Sequence, residues 1–591
     1  MNAFSKLIPC AVGILMLTAC SNENMPALPE EKEGDFYTAV AINFATGTRS
    51  KTDTNVDSDY TTSNNGTEIG KDFENKVNSV AIVLATTGDD PKVIAYKQVG
   101  AEVNTGNTTD ENQHVYVAAF QSAELVAKAG TQFQTFVFCN PSNVLTRQLT
   151  TDASLADLKY TLSSKDDNYA WTNNAFLMTN ASLSDVKTLP TVEEFSNYNT
   201  EADAFSLGQV NVERAAVRFD LKQGATNDTY TVGKDKAADP AASLVLTDVA
   251  LFNMSKEFNY LRRVSVDGTD SRTNGNEWSI GKPEQQWAFN GSSRVTGNYV
   301  VDTDFSYKST FDGTKPSQPH FFYDYMSTID DNNLVTSTQT ELVWTPVSTI
   351  WSSSDDNDNP WNANENQSDK YNGYKIWRYA TENTIPSVEQ QKMGISTGVY
   401  FRTRIVAAEA DGDIDKAMKA GSWLYVFENK MMGTWAMVKE AAKANPGSTI
   451  ASAVATVEQR VTDKVEPGKI LEGLGFTVYM PTKVGNDYVY YVGYAYKNRH
   501  NDNLDNKVMG PMEFATVRNN VYKLQLSDIN MWGHPMNPEN PDPGPGGDPD
   551  PDPDPDPDPD DPDDPDESDE VYFTVNVSVL PWVVRINNVS F

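Results

Sequence analysis

The sequence predicts a mainly β chain: two β-sandwich-like domains with minor short helices, a disordered Pro/Asp linker and a C-terminal strand beyond it. Three observations predict this class. Apolar and polar residues alternate with period two in many short runs. Clusters of Gly, Asn, Asp and Thr separate those runs at the spacing of turns. At 591 residues the chain is long enough for more than one core.

The first 20 residues read as an export signal, with Lys6 followed by an apolar run over 7–17 and then Leu17-Thr18-Ala19-Cys20. The run is too short to cross a membrane as a helix. The small residues before Cys20 resemble a bacterial lipobox, in which the Cys is acylated and becomes the mature N-terminus; Ser21 after it resembles outer-membrane lipoproteins. Residues 21–35, polar with Pro26 and Pro29, read as a tether. Phe36, Val40, Ile42 and Phe44 then alternate with Tyr37, Ala39, Ala41 and Asn43, the pattern of a half-buried strand. The polar stretch 45–70, which contains Arg49 and Ser50, is expected to be exposed.

From residue 77 strands are expected at 77–84, 92–96, 114–120, 133–138, 215–221 and 243–252, spaced as in a sandwich. A polar stretch after Asn259-Tyr260-Leu261-Arg262 suggests a boundary, so the N-terminal domain is set at 50–265 and the C-terminal domain at 266–540. In the second domain the clearest strands are 399–406, 476–480, 488–496 and 520–526. Two short helices are expected among them, at 434–444, stopping at Asn445-Pro446-Gly447, and at 413–419.

Residues 541–566 are a Pro/Asp repeat within the linker 541–570. Pro holds the backbone near polyproline II and like charges repel, so the repeat should be extended over roughly 80 Å and cannot pack a core. Beyond it Val571, Phe573, Val575, Val577 and Val579 alternate with Tyr572, Thr574, Asn576 and Ser578, and a second β-rich run follows Leu580-Pro581-Trp582. An edge strand of this kind can bury its apolar face in its own domain or in another subunit, completing a hydrogen-bond ladder either way.

Composition excludes several function classes. The net charge of −35, or −20 without residues 541–570, argues against nucleic acid and anionic membrane surfaces as partners. Of the three cysteines, Cys10 and Cys20 fall in the processed region and Cys139 sits in an apolar run, so no disulfide framework exists and Cys139 is expected as a buried small hydrophobe. The four histidines lack metal-ligand spacing. Gly394-Ile395-Ser396-Thr397-Gly398 fits the spelling of a nucleophile elbow, but a strand follows where a helix is required. Asp411-Gly412-Asp413-Ile414-Asp415 begins like a calcium loop, yet Lys416 and Ser422 replace the required Gly and Glu. No catalytic constellation, metal site or cofactor is expected, and the chain reads as a non-enzyme.

Several runs carry a family resemblance: Val212-Glu213-Arg214-Ala215, Tyr379-Ala380-Thr381-Glu382-Asn383-Thr384, Met509-Gly510-Pro511-Met512-Glu513-Phe514, Val517-Arg518-Asn519-Asn520-Val521-Tyr522-Lys523-Leu524 and Val575-Asn576-Val577-Ser578-Val579-Leu580-Pro581-Trp582. Together they resemble type V fimbrillins, in particular the shaft subunit of short fimbriae. The resemblance implies a lipidated precursor carried to the outer membrane, then cut after an Arg by a trypsin-like protease. Arg49-Ser50 stands where that cut is expected. It would release residues 20–49 with Cys20 and the strand bearing Phe36, Val40, Ile42 and Phe44, and a donor strand from another subunit, here Val571, Phe573, Val575, Val577 and Val579, would replace it. The implied partners are identical subunits, anchor and tip fimbrial subunits, and a maturation protease. A tip or anchor subunit, or a surface lipoprotein adhesin that keeps its lipid, is the alternative. The Pro/Asp repeat departs from the family pattern; its composition suits a tether, a weak calcium binder or a solubilising spacer.

Overall fold

The computed structural model describes residues 35–44, 68–100, 113–161, 171, 175–233, 239–252, 255, 257–265, 344–352, 373–384, 397–465, 469–497, 515–536 and 573–583, with short pieces between 279 and 337. Cys20, Arg49, Ser50, Val571 and the Pro/Asp linker lie outside these residues. The chain is mainly strands in several sheets with few short helices, the class its alternating runs predict.

In the N-terminal half the strands are β1 (Asp35–Phe44), β2 (Glu68–Ile69), β3 (Val80–Ala85), β4 (Val93–Val99), β5 (Gln113–Gln121), β6 (Gln132–Cys139), β7 (Lys159–Thr161), β8 (Met178–Asn180), β9 (Lys187–Thr188) and β10 (Phe205–Arg214). One sheet runs β4-β3-β6-β8-β10-β1-β5, with β9 also against β6. Every residue of β3 is buried, as expected of a strand covered on both faces. Cys139 at the end of β6 is fully buried, and burial pushes its thiol pKa up, so it is a packed hydrophobe.

Strand β10 shows why one central element is hard to read from sequence. It carries a bulge where β1 shifts register between Ala39 and Val40, opposite Gly208 at φ +86°. Its buried residues Leu207, Val210 and Val212 therefore miss strict alternation.

After Ala215 and Ala216, both buried, the chain leaves this sheet. β11 (Val217–Leu221) pairs parallel with Asn520–Ile529 and antiparallel with Lys375–Ala380. Past β12 (Thr229–Thr231), β13 (Ala242–Phe252) pairs antiparallel with Gly398–Ala407. Strands from 217–252 thus build sheets with strands from 375–536, across the boundary expected near 265. A continuous apolar core includes residues from Phe36 to Trp532.

The helices Asp413–Lys419 and Trp435–Ala444 form where expected. A longer one, Thr449–Thr462, was not expected because Thr and Val dilute its helix propensity. The Ser448 side chain caps it by accepting from the Ala451 amide at 3.3 Å, and Ile450, Ala453, Val454 and Val457 form its buried stripe. No helix among the described residues is long and apolar enough to cross a membrane.

Candidate assembly site

The strand at the start of the described chain is not an edge. β1 lies between two strands, antiparallel to β5, with pairs running from Asp35–Gln121 to Asn43–Gln113, and parallel to β10, with pairs from Thr38–Phe205 to Phe44–Val212. Its alternation has the expected consequence: Phe36, Val40 and Ile42 are fully buried, while Tyr37, Ala39 and Ala41 are half-buried. Thr38, on the inward face, is also fully buried, and its hydroxyl donates to the Ala118 carbonyl at 3.4 Å. Burying the three apolar side chains contributes about 5–9 kcal/mol before ordering costs.

Phe36 occupies an aromatic cage. Its ring meets Phe195 edge-on at 4.8 Å between centroids, Tyr198 at 5.9 Å and Phe205 at 6.0 Å. Phe195 and Tyr198 come from the short helix Glu194–Tyr198 and Phe205 from the start of β10. Removing β1 would leave a slot floored by apolar side chains, flanked by the unpaired ladders of β5 and β10, with this cage at one end.

The C-terminal strand Phe573–Val583 lies elsewhere in the same chain. It pairs antiparallel with Asn520–Ile529, matching Leu580 to Val521, Val577 to Leu524, Val575 to Leu526 and Phe573 to Ile529. Trp582 and Val583 also pair parallel with Glu68 and Ile69 of β2. Of the two placements open to this strand, the single chain takes the fold-back one, with β1 filling the slot between β5 and β10.

Three of the runs that carried the sequence resemblance, those with Glu213, Glu382 and Arg518, meet in a buried network of charges. Arg218 of β11 grips Asp220 with two bonds of 2.8 Å and reaches Glu74, from the short helix Asp72–Asn75, at 3.2 Å. Lys523 contacts Asp220 from the other side at 3.2 Å, and the Tyr379 hydroxyl donates to Glu74. Nearby, Arg518 binds Glu382 at 2.9 Å and Asp302 at 3.0 Å, and donates to the carbonyls of Tyr260 and Asn259 at 2.9 and 2.7 Å. Arg262 pairs with Glu213. All these side chains are buried, so each charge depends on its partner.

Their protonation follows. Burial raises the Asp220 pKa, but the Arg218 and Lys523 charges outweigh it and hold the carboxyl below its ordinary value. Burial pushes Glu213 up to about 7 despite Arg262 and Arg518, and its Oε1 has no hydrogen-bond partner among the described residues. Burial drives the Arg214 pKa down to about 9 against the pull of Glu74. The network ties the end of β10 to β11, to 379–384 and to 515–523, where the two halves of the molecule meet.

Other candidates dissolve into ordinary roles. Asp411 and Asp415 bind Lys419 at 3.1 and 2.6 Å, and the Asp411 amide donates to Asp415, so these acids frame the start of the helix Asp413–Lys419. Among the described residues no group of His, Cys, Asp and Glu could hold a metal ion. The strand Gly398–Ala407 directly follows Thr397, the order that argued against a nucleophile elbow at Ser396. Sequence reasoning passed over the cage residues Phe195, Tyr198 and Phe205, because they come from a short helix and an irregular strand start.

Residues 487–588 match the family model described as major fimbrial subunit protein type IV, fimbrillin, C-terminal. The sequence resemblance pointed to type V; the level the two share is the fimbrillin. No curated protein sequence matches the chain. Among solved structures, a protein proposed to act in cell adhesion, from Parabacteroides distasonis, is 12% identical, covering 94% of this chain and 99% of its own at a TM-score of 0.36. A fimbrilin from Porphyromonas gingivalis W83 is 13% identical, covering 93% and 99% at 0.32. The tip fimbrial protein Mfa3 from Porphyromonas gingivalis is 9% identical, covering 84% and 95% at 0.26. At TM-scores this low they stand as similarities and no more. The family match, confined to residues 487–588, is consistent with a fimbrillin-type subunit.

Proposed function

We propose that this chain, fimbrillin-like over residues 487–588, is the shaft subunit of a surface fimbria and polymerises by protease-triggered strand exchange. In this reading Cys20 carries a lipid that brings the precursor to the outer membrane. An Arg-specific, trypsin-like protease cuts between Arg49 and Ser50 and releases residues 20–49, β1 among them. The C-terminal strand of another copy, with Val571, Phe573, Val575, Val577 and Val579 on its inward face, then fills the slot between β5 and β10. The Pro/Asp linker, extended over roughly 80 Å, lets that strand reach a neighbour. Anchor and tip subunits would complete the fibre, whose role is adhesion and biofilm formation.

The observation that carries this reading is the place of β1. A buried strand flanked on both sides, by β5 and β10, ends at Phe44, five residues before Arg49 in sequence. A cut there turns a fixed core strand into a separate peptide held only by non-covalent contacts. The test is to treat purified precursor with an Arg-specific protease and follow assembly. Subunits beginning at Ser50 and forming fibres are expected, while Arg49→Ala stays monomeric. Fibres from Arg49→Ala at the wild-type rate, or fibre subunits retaining residues 35–44, would refute the trigger.

One observation favours a second reading. The C-terminal strand sits on its own Asn520–Ile529, the arrangement of a subunit that donates nothing. A tip or anchor subunit, or a lipoprotein adhesin, would keep it there. An acylated Cys20 in the mature protein identifies the permanent anchor or adhesin; a mature N-terminus at Ser50 identifies the shaft subunit.

A further inference from the structure

Granting strand exchange as above, we propose that the incoming strand enters in one register and one direction: parallel to β10 as β1 is, with Phe573 of a second copy in the Phe36 cage.

The argument is one of volume and of proline. β1 presents Phe36, Thr38, Val40 and Ile42 to the core, all fully buried. The register with Phe573 at Phe36 sets Val575 at Thr38, Val577 at Val40 and Val579 at Ile42. Phenyl replaces phenyl, Val replaces the similarly shaped Thr, Val replaces Val, and one methylene is lost at Ile42. An odd shift would turn Thr574, Asn576 and Ser578 into the core.

A shift of two in one direction puts Phe573 on the Thr38 position, where a ring cannot fit without displacing its neighbours, and leaves Val571 in the cage of Phe195, Tyr198 and Phe205. A shift of two in the other direction puts Val575 in the cage and carries Pro581 to Ile42, which β5 pairs with His114. A proline between two strands forfeits a ladder bond.

Direction is decided by volume and proline together: a reversed strand with Phe573 at Ile42 would crowd a ring into that buried position and leave Val579 in the cage. A reversed strand with Phe573 at Phe44 would seat Pro581 at Phe36, a position paired with Phe120 of β5. In the proposed register Pro581 reaches Phe44, one residue beyond the last pair with β5, Asn43–Gln113. There it lies past the β5 ladder and meets only the last pair with β10, Phe44–Val212, so it costs at most one ladder bond at the end of the strand.

The cage makes Phe573 the specificity-determining residue of the strand. Val571 falls two positions before Phe36, ahead of the first residue of β1, so of the five inward residues it is the one with no β1 position to occupy.

The test is disulfide trapping in fibres of full-length chain matured by the Arg-specific cut, using Asn576→Cys with one cysteine on β5. The proposed register sets residue 576 at Ala39, opposite Val117. The strand reversed with Phe573 at Phe44, or the shift that places Val571 at Phe36, sets it opposite Val115; the other shift sets it opposite Ala119. Cross-linking between subunits with Val117→Cys is expected. Cross-linking only with Val115→Cys or Ala119→Cys overturns the register and leaves strand exchange standing. Fibres that cross-link at none of the three overturn strand exchange itself. Should the paired cysteines hinder assembly, single substitutions decide: Phe573→Ala should slow fibre growth about tenfold or more while Val571→Ala stays within about twofold of wild type. The reverse order overturns the proposal.

Discussion

At the scale of residues, the molecule depends on charges that have no water to fall back on. Arg518 holds two buried carboxylates, Glu382 and Asp302, together with two carbonyls. Arg518→Met should leave both acids with amide donors but without their guanidinium partner, and destabilise the chain by about 3–5 kcal/mol, read by denaturant unfolding. Glu213 gives a pH signature. Its folded pKa is raised to about 7 from an ordinary 4.5, so the folded state binds the proton more tightly than the unfolded state. That contribution is present at low pH and is lost as pH rises through about 7. Glu213→Gln should therefore flatten the fall in stability between about pH 4.5 and about pH 7, measured as unfolding midpoint against pH. Asp220 acts in the opposite sense: its lowered pKa stabilises above the ordinary carboxylate range and that stability fades as acid protonates it. None of this network was legible as such. Arg, Glu and Asp are exposed in most proteins, so runs such as Val517-Arg518-Asn519-Asn520 read only as a resemblance until the sheets brought them together.

At the scale of elements, runs that alternate cleanly, such as β1, and runs that are apolar throughout, such as β3, were readable, whereas β10 was not. β1, β5 and the C-terminal strand follow period two, and the sequence places each within a few residues of its structural bounds. β10 does not, because the bulge at Gly208 resets its faces. The helix Thr449–Thr462 was missed for a different reason: β-branched residues suggest a strand, and only the Ser448 cap and the spacing of Ile450, Ala453, Val454 and Val457 reveal the helix. Ser448→Ala should cost about 1 kcal/mol in thermal unfolding, since it removes the bond to the Ala451 amide. For β1 the account makes a conditional claim. Phe36→Ala should destabilise the uncut precursor by about 3–5 kcal/mol through the void left in its cage. The same substitution should leave chains that have lost residues 20–49 unchanged, with calorimetry before and after the cut as the readout.

At the scale of the whole molecule, each end of the chain supplies a strand to a different sheet. β1 completes the sheet of β5 and β10, and Phe573–Val583 covers Asn520–Ile529 while touching β2, the first described strand after Arg49. The sequence made both strands visible, but pattern alone could not say which neighbours either would take. The slot filled by β1 is the place where one copy could receive another, and its opening is the central claim. A chain with Ala39→Cys and Val117→Cys, paired across β1 and β5, tests it most directly, because the disulfide would keep β1 in the slot after Arg49 is cut. The account predicts that the oxidised, cut chain remains monomeric by light scattering and grows fibres once reductant releases β1. Fibres growing at the same rate with the disulfide intact would contradict it.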